Sequence, residues 1–356
     1  VRPADLGGRL AEWLDGSGAS ADIVLSTRVR LARNVAGAPF PHRAEEERLF
    51  QVFETVQAAL AGAPSLADAS VWDLDELSEW DRRLLVERHL ATGRLVAGRG
   101  RRGVCVAAGE KLGVMINEED HLRIQSVASG LDLPQALRGA VDLDLALEGA
   151  LDYAVSADRG YLTACPTNVG TGMRASVLVH LPGLLLAGEI RKVHRAVAEM
   201  GMAVRGWFGE GSRALGDFHQ ISNQRKLGWT EEETAESLGK VCRRILELEL
   251  EARERLVADR SRRRRLEDRI FRSHGTLLGA RLLTVEAAMA LASDVRLGKW
   301  MNFLEQVPHE RLNRLALVLQ PAHLGRQEGR ILEGEEADWA RARAVRAEFA
   351  EFPADG

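Results

Sequence analysis

The chain has 356 residues, 46% of them hydrophobic and 28% charged, with a formal net charge of −4. This is a globular balance with ample apolar material for a core, and its charge supplies no global pull toward nucleic acid or anionic lipid. No apolar run approaches the roughly 18 residues that span a bilayer, and the opening text VRPADLGGRLAEWLDG lacks a secretion-signal layout. Cys105, Cys165 and Cys242 are far apart and form no CxxC pair, which argues against a disulfide framework or a zinc knuckle. A reduced, cytoplasmic protein is expected.

Residues 1–22 read as a short helix and a loop. From Ile23 the text IVLSTRVRLARNV alternates as a strand does, with arginines at 28, 30 and 33. Helical periodicity covers 44–62 and 75–91, and the turn-rich AGRGRRG follows. VCVAAG and KLGVMI predict a hairpin around Gly109 and Glu110. A helix is expected over 134–157. TACPTNVGTGMRASVLVHL joins a turn cluster to a strand, and LLLAGEIRKVHRAVAEMG predicts one helix closed by Gly201. MAVRGWFGEGSRALGDFHQISN reads as strand and long loop. From about Thr230 the text is helical and charged, as one long helix or two, and the helical pattern persists to 352. The expected division is near residue 250. Residues 1–250 form an α+β body whose mostly antiparallel sheet is flanked by helices, and 251–356 form an all-α domain.

Two glycine motifs mislead. Gly98–Gly103 is a literal GxGxxG and Gly209–Ala214 fits GxGxxA, but the first runs into a strand and neither opens a helix toward a phosphate. There is no GxxxxGK[ST], GxSxG or HExxH. Nucleotide chemistry would need another device.

Arginine supplies one. Arg28 and Arg30 lie two apart on a strand and share a face; Arg174 and Arg205 adjoin other alternating text, and Arg123 closes NEEDHLR. Each alone reads as a solvated edge residue. Together they could grip a polyanion through fixed, permanently charged forks. The acids form the other half: Glu118, Glu119 and Asp120 in NEEDHLR, and Glu210 between two glycines. Two carboxylates from separate loops could hold one guanidinium, and one could accept its proton. Cys165 reads either as a low-pKa thiolate near arginine or as a small core cysteine. The run Arg260, Arg262–Arg265 reads as a solvated helix face, or else as a dock for an acidic partner or neighbouring subunit.

STRVR (26–30), NEEDHLR (117–123), CPTNVGTGMRAS (165–176), RGWFGEG (205–211) and ISNQRKLGWTEEE (221–233) together resemble the phosphagen (guanidino) kinase family. The resemblance implies its glutamine-synthetase-like catalytic fold. It implies ATP phosphates bound by Arg28, Arg30, Arg123, Arg174 and Arg205. It places Ser26, Thr27, Val29, Ala175, Ser176, Val177, Leu178, Gly206, Trp207, Phe208, Gly209 and Glu210 in the ATP-binding segments. His89 would stack near the adenine, Glu119 would be the catalytic base and Glu210 the second clamp on the guanidinium. Cys165 would line the substrate pocket, and Mg²⁺ would be held mainly by ATP and water. Glu118 and Asp120 are expected to give water- or Mg²⁺-mediated support.

Two features resemble the bacterial protein-arginine kinases of the McsB type: only 25 residues precede STRVR, and a helical domain containing QPAHL (320–324) follows. That resemblance implies an open site for arginine on a protein, tagging for a ClpC–ClpP protease, a ClpC-type unfoldase and an McsA-type activator as partners, and a homodimer. It also implies a phosphoarginine-sensing pair, Asp338 and Arg341, in a motif whose first arginine is here Ala337. A kinase of a free small guanidine and a non-catalytic phosphoarginine-binding adaptor are the alternatives.

Overall fold

A computed structural model describes residues 3–207, 214–224 and 228–352, the side chain of residue 4 apart. Its strands are β1 (Val24–Arg33), β2 (Ser70–Asp73), β3 (Gly103–Val106), β4 (Leu112–Ile116), β5 (Leu122–Ser129), β6 (Val155–Ser156), β7 (Gly160–Tyr161), β8 (Met173–His180), β9 (Met202–Arg205) and β10 (Phe218–Asn223). Eight of them form one sheet in the order β2-β3-β4-β5-β1-β8-β10-β9, antiparallel at every step, and β6 pairs with β7 separately. The helices accompanying the sheet are α1 (Pro3–Leu6), α2 (Glu46–Ala61), α3 (Glu79–Glu87), α4 (Gly93–Ala97), α5 (Leu133–Glu148), α6 (Pro182–Leu186) and α7 (Ile190–Glu199). Then come α8 (Glu231–Ala258), α9 (Arg260–Gly279), α10 (Val285–Trp300), α11 (His309–Val318), α12 (Pro321–Glu328) and α13 (Gly334–Phe349).

The alternation of β1 decides the layering. Val29 and Leu31 are fully buried on one face, against Val52, Phe53 and Val56 of α2, Ala140 and Leu143 of α5, and Leu238 and Ile245 of α8. Each of these Val, Leu, Ile and Phe side chains contributes roughly 1.5–3 kcal/mol relative to exposure. The opposite face is divided. At one end Leu25, Val127, Leu178 and Phe218 join a second core built from the tail helices, and at the other end Arg28 and Arg30 stand only half-buried. No helix among the described residues is long and apolar enough to cross a membrane.

Three expectations change, and one left open is decided. The expected helix over 134–157 stops at Glu148, and Gly149 turns the chain so that Tyr153 can bridge Val35 beside the sheet. LLLAGEIRKVHRAVAEMG is two helices, parted at Gly188, whose φ of 72° is left-handed. The long charged segment is also two helices. Asp259 leaves the helical region (ψ 112°), and its carboxylate caps α9 through the amide of Arg262 at 2.7 Å. Finally, residues 122–129 form a strand absent from the expected elements, and β5 lies between β4 and β1. Helix α8 runs through residue 250; Leu238 and Ile245 belong to the sheet core and Leu256 to the tail core.

Candidate active site

Strand register gathers the arginines. On β1, Arg30 pairs with Gln125 of β5 and Arg174 of β8, Ala32 pairs with Arg123, and Arg28 pairs with Ser176. Gln220 of β10 pairs with Leu178 on one side and Arg205 of β9 on the other. Directly paired residues project to the same face. Arg28, Arg30, Arg123, Arg174 and Arg205 therefore line one cavity of about 840 Å³, together with Arg94, Glu118, Glu119 and Cys165.

Thr27, Val29, Ala175 and Val177 project the other way and are fully buried, so their side chains belong to the core rather than to the cavity. The Thr27 hydroxyl is spent there, donating to the Gly130 carbonyl at 2.7 Å and accepting from the Asp132 amide at 3.2 Å.

Three of these arginines lack a carboxylate partner among the described residues. Arg28 donates to Gln220 at 3.3 Å, but among the described residues neither Arg28, Arg30 nor Arg174 forms an ion pair. The Nε atoms of Arg30 and Arg174 are buried without a hydrogen-bond partner. Burial, then the Arg123 charge, pushes the Arg28 pKa down to about 10. Arg30 is driven well below the usual guanidinium range by burial first, then by Arg28, Arg123 and Arg205, against an opposing pull from Glu118. Like charges assembled in low dielectric cost free energy that a bound polyanion returns.

NEEDHLR is the turn joining β4 to β5, closed by the Asn117 amide on the His121 carbonyl (2.9 Å) and the Glu118 amide on the Asp120 carbonyl (3.1 Å). The turn gives each member a separate task. The Glu118 side chain, 3% exposed, accepts from the Thr92 hydroxyl at 2.8 Å and from Arg123 at 3.0 Å. Glu119 stands more open, with Arg94 at 3.2 Å on one oxygen and Arg123 at 3.4 Å on the other. Asp120 is buried and accepts from the Asn34 side chain (2.7 Å) and the Ala164 amide (2.6 Å). Burial raises its pKa. His121 accepts from the Val35 amide and donates to the Pro39 carbonyl, and burial pushes its pKa down to about 4. Glu118 and Asp120 thus both make direct protein contacts.

Cys165 opens the loop that forms the opposite wall. It is half-buried, with Sγ 2.9 Å from the Thr167 hydroxyl. That loop is anchored at both ends, by Asp120 on Ala164 and by buried Arg33, which donates to the Thr171 carbonyl at 2.9 Å while ion-paired with Asp144.

A smaller cavity of about 30 Å³ adjoins the first, sharing Arg28 and Gln220, and is lined by Trp13, Ser26, His89, Ser176, Leu178 and Trp207. The His89 ring lies 6.2 Å from the rings of both Trp13 and Trp207. Burial, then Arg28 and Arg30, pushes its pKa down to about 3, so the ring is neutral. Gly206, buried, leads from Arg205 into Trp207. Phe208, Gly209 and Glu210 lie outside the described residues.

Sequence reasoning missed Thr92, Arg94, Gln220 and Trp13. Thr92 caps α4 through the Leu95 amide, a signal readable as Thr before a short helix. Arg94 carries no local signal, because its role depends on α4 lying against the β4–β5 turn.

In the tail, Arg341 is 3% exposed and donates to the carbonyls of Leu319 (2.8 Å) and Leu283 (2.7 Å) and to Asp338. The expected sensing pair thus holds tail segments together. Arg330 and Arg343 are paired with Glu336 and Glu328. No cluster of three or more His, Cys, Asp or Glu placed to hold a metal occurs among the described residues.

Residues 51–252 match the family model of the ATP:guanido phosphotransferase C-terminal catalytic domain, and residues 263–356 match that of the protein-arginine kinase McsB C-terminal domain. A protein-arginine kinase of Pelotomaculum thermopropionicum is 44% identical over 346 residues, covering 96% of this chain and 97% of that one. One from Symbiobacterium thermophilum is 43% identical over 342 residues, covering 95% and 96%. Among solved structures, the duplicated taurocyamine kinase of Schistosoma mansoni with bound transition-state-analogue components superimposes with a TM-score of 0.57 at 30% identity. The match covers 64% of this chain and 33% of that longer one. An arginine-lined sheet face opposed by carboxylates, in a chain with these relatives, places the protein in the ATP:guanido phosphotransferase family, among the protein-arginine kinases.

Proposed function

We propose that the chain transfers the γ-phosphoryl group of ATP to the guanidinium of arginine side chains in proteins. One observation carries this reading: a single cavity holds Arg28, Arg30 and Arg174, which form no ion pair among the described residues, and the more open carboxylate of Glu119. The first suits a triphosphate, the second a guanidinium.

The chemistry follows from the groups present. A guanidinium has a pKa above about 12 and is a poor nucleophile until it loses a proton. Glu119 would align its plane and accept that proton as the nitrogen–phosphorus bond forms. The bond from the γ-phosphorus to the bridging oxygen breaks, and ADP leaves. Arg28, Arg30, Arg123, Arg174 and Arg205 would hold the phosphates in line and stabilise charge spread over the equatorial oxygens. Mg²⁺ arriving with the nucleotide would neutralise phosphate charge. His89, Trp13 and Trp207 would receive the base. Cys165 would border the reacting nitrogen from the facing wall.

Arg94 supports the guanidinium assignment. Its own guanidinium rests 3.2 Å from Glu119 while its side chain remains 59% exposed, so a substrate arginine can take its place. The partners that fit this reading are proteins with exposed arginines in the cytoplasm, a ClpC-type unfoldase, an McsA-type activator and a second copy of the chain. The test is to incubate the protein with ATP and either free arginine or an arginine-containing protein, and to map acid-labile phosphate. Rapid turnover of free arginine with none of protein would sink the proposal.

A further inference from the structure

The helical tail reaches the base end of the nucleotide cavity at two separate points. Glu87, the last residue of α3, accepts from the amides of Ala322 (2.7 Å) and His323 (3.1 Å) in the first turn of α12, where helix amides lack intrahelical partners. It also contacts Nδ1 of His323 at 2.8 Å. With its proton on Nδ1, the ring offers Nε2 as an acceptor, and the Arg88 guanidinium lies 3.2 Å from it. Arg88 is 1% exposed and is clamped further by Glu110 and by the Arg9 carbonyl at 3.0 Å. The next residue is His89. Its φ of 59° is costly for a non-glycine residue, so that conformation persists only where neighbouring positions hold it. Gln125 secures the His89 carbonyl at 3.1 Å from the sheet side.

The second point is Asn313 of α11, also 1% exposed. It donates to the Leu14 carbonyl at 2.9 Å and accepts from buried Arg296. Leu14 follows Trp13, whose ring packs edge-on against His89. The two contacts thus end one residue away from each of two neighbouring rings of the small cavity.

We infer that the tail completes the nucleotide site, with His323 and Asn313 as positioning residues that set His89 and Trp13 for the base. This rests on assigning the small cavity to the base of ATP. Rings held in place before binding spare the nucleotide the cost of ordering them. Loosening the tail contact therefore weakens nucleotide binding and leaves the transfer step intact.

Steady-state kinetics on the full chain, varying ATP and a protein substrate separately, test this. In His323→Leu the KM for ATP rises roughly fivefold or more, while kcat at saturating ATP and the KM for the protein substrate hold. His323→Gln, which keeps an acceptor for Arg88, recovers most of the loss. Asn313→Leu shifts the same parameter and decides the matter if His323→Leu does not fold. In a His89→Ala background, His323→Leu adds nothing further. An unchanged KM for ATP in folded His323→Leu and Asn313→Leu, or a fall in kcat with that KM intact, overturns the inference. His89→Ala with an unaltered KM for ATP overturns the base assignment itself, and the inference with it.

Discussion

Two sets of arginines out of bulk water behave in opposite ways. Arg33, Arg88, Arg253 and Arg341 lie in the seams between elements, and each has a carboxylate partner: Asp144, Glu110, Glu249 and Asp338. Arg28, Arg30 and Arg174 stand on the open end of the sheet and form no ion pair among the described residues. Burial costs both sets. The seam arginines recover it within the fold, so they join segments. The site arginines face an open cavity with no ion pair among the described residues, as a polyanion site requires. Depth alone does not mark a functional arginine, and neither does a missing carboxylate: Arg296 is buried without an ion pair among the described residues and donates to Asn313, so the open cavity is the second requirement.

The difference can be broken experimentally, and the largest effect belongs to the opposing carboxylate. Glu119→Gln should lower kcat by about 10²–10⁴-fold, the range for a lost general base, with ATP affinity retained in an equilibrium titration. Near-wild-type turnover would remove Glu119 as the base.

Next comes the contrast itself. Arg30→Met should cost about 10²–10³-fold in kcat/KM and leave thermal stability equal or higher, because it removes an uncompensated charge. Arg253→Met should instead cost about 3–5 kcal/mol in urea unfolding, since it strands Glu249, 0% exposed, without its cation. The folded fraction should keep its kcat/KM within about threefold. Equal losses of activity and stability in both variants would erase the distinction.

Buried histidines supply a milder effect. His121 and His219 have folded-state pKa values lowered to about 4, below the ordinary value near 6.5. Each therefore contributes stability that is present above pH 6.5 and lost as pH falls toward 4, at up to about 1.4 kcal/mol per pH unit. Urea midpoints should drop between pH 7 and 5, with a shallower slope in His121→Gln; an unchanged slope would contradict this.

The smallest effect concerns Arg94. Its exposed pair with Glu119 is of a kind worth about 0.2–1 kcal/mol, so Arg94→Ala should lower the KM for a protein substrate by no more than about fivefold. A raised KM would mean that Arg94 assists the substrate rather than standing in its place.

Much of the site is legible in the sequence. Alternation along STRVR put Arg28 and Arg30 on one face because strand side chains repeat every two residues, and β1 keeps that pattern. The same rule turns Thr27, Val29, Ala175 and Val177 inward, although they share the motifs of the site arginines. Strand β5 was passed over because the acids of NEEDHLR read as an ending, whereas they form a tight turn and the chain returns along β1. The break at Asp259 left a trace, an aspartate ahead of a helical run, but α6 and α7 read as continuous because one left-handed glycine interrupts no periodic pattern.

The sequence by itself determined which chemistry was available: permanently charged forks at strand spacing, carboxylates in short turns, and a second helical unit with its own composition. These are local properties, carried by residue type and period. Tertiary structure alone decided which charges would meet. Arg123 on β5 and Arg174 on β8 share a cavity because both strands pair with β1, and Arg94 rests on Glu119 because α4 lies against the β4–β5 turn. His323 stands more than 200 positions from Arg88, and only the docking of α12 on α3 brings their side chains together. Counter-charge is a property of neighbours in space, and one-dimensional spacing does not encode it.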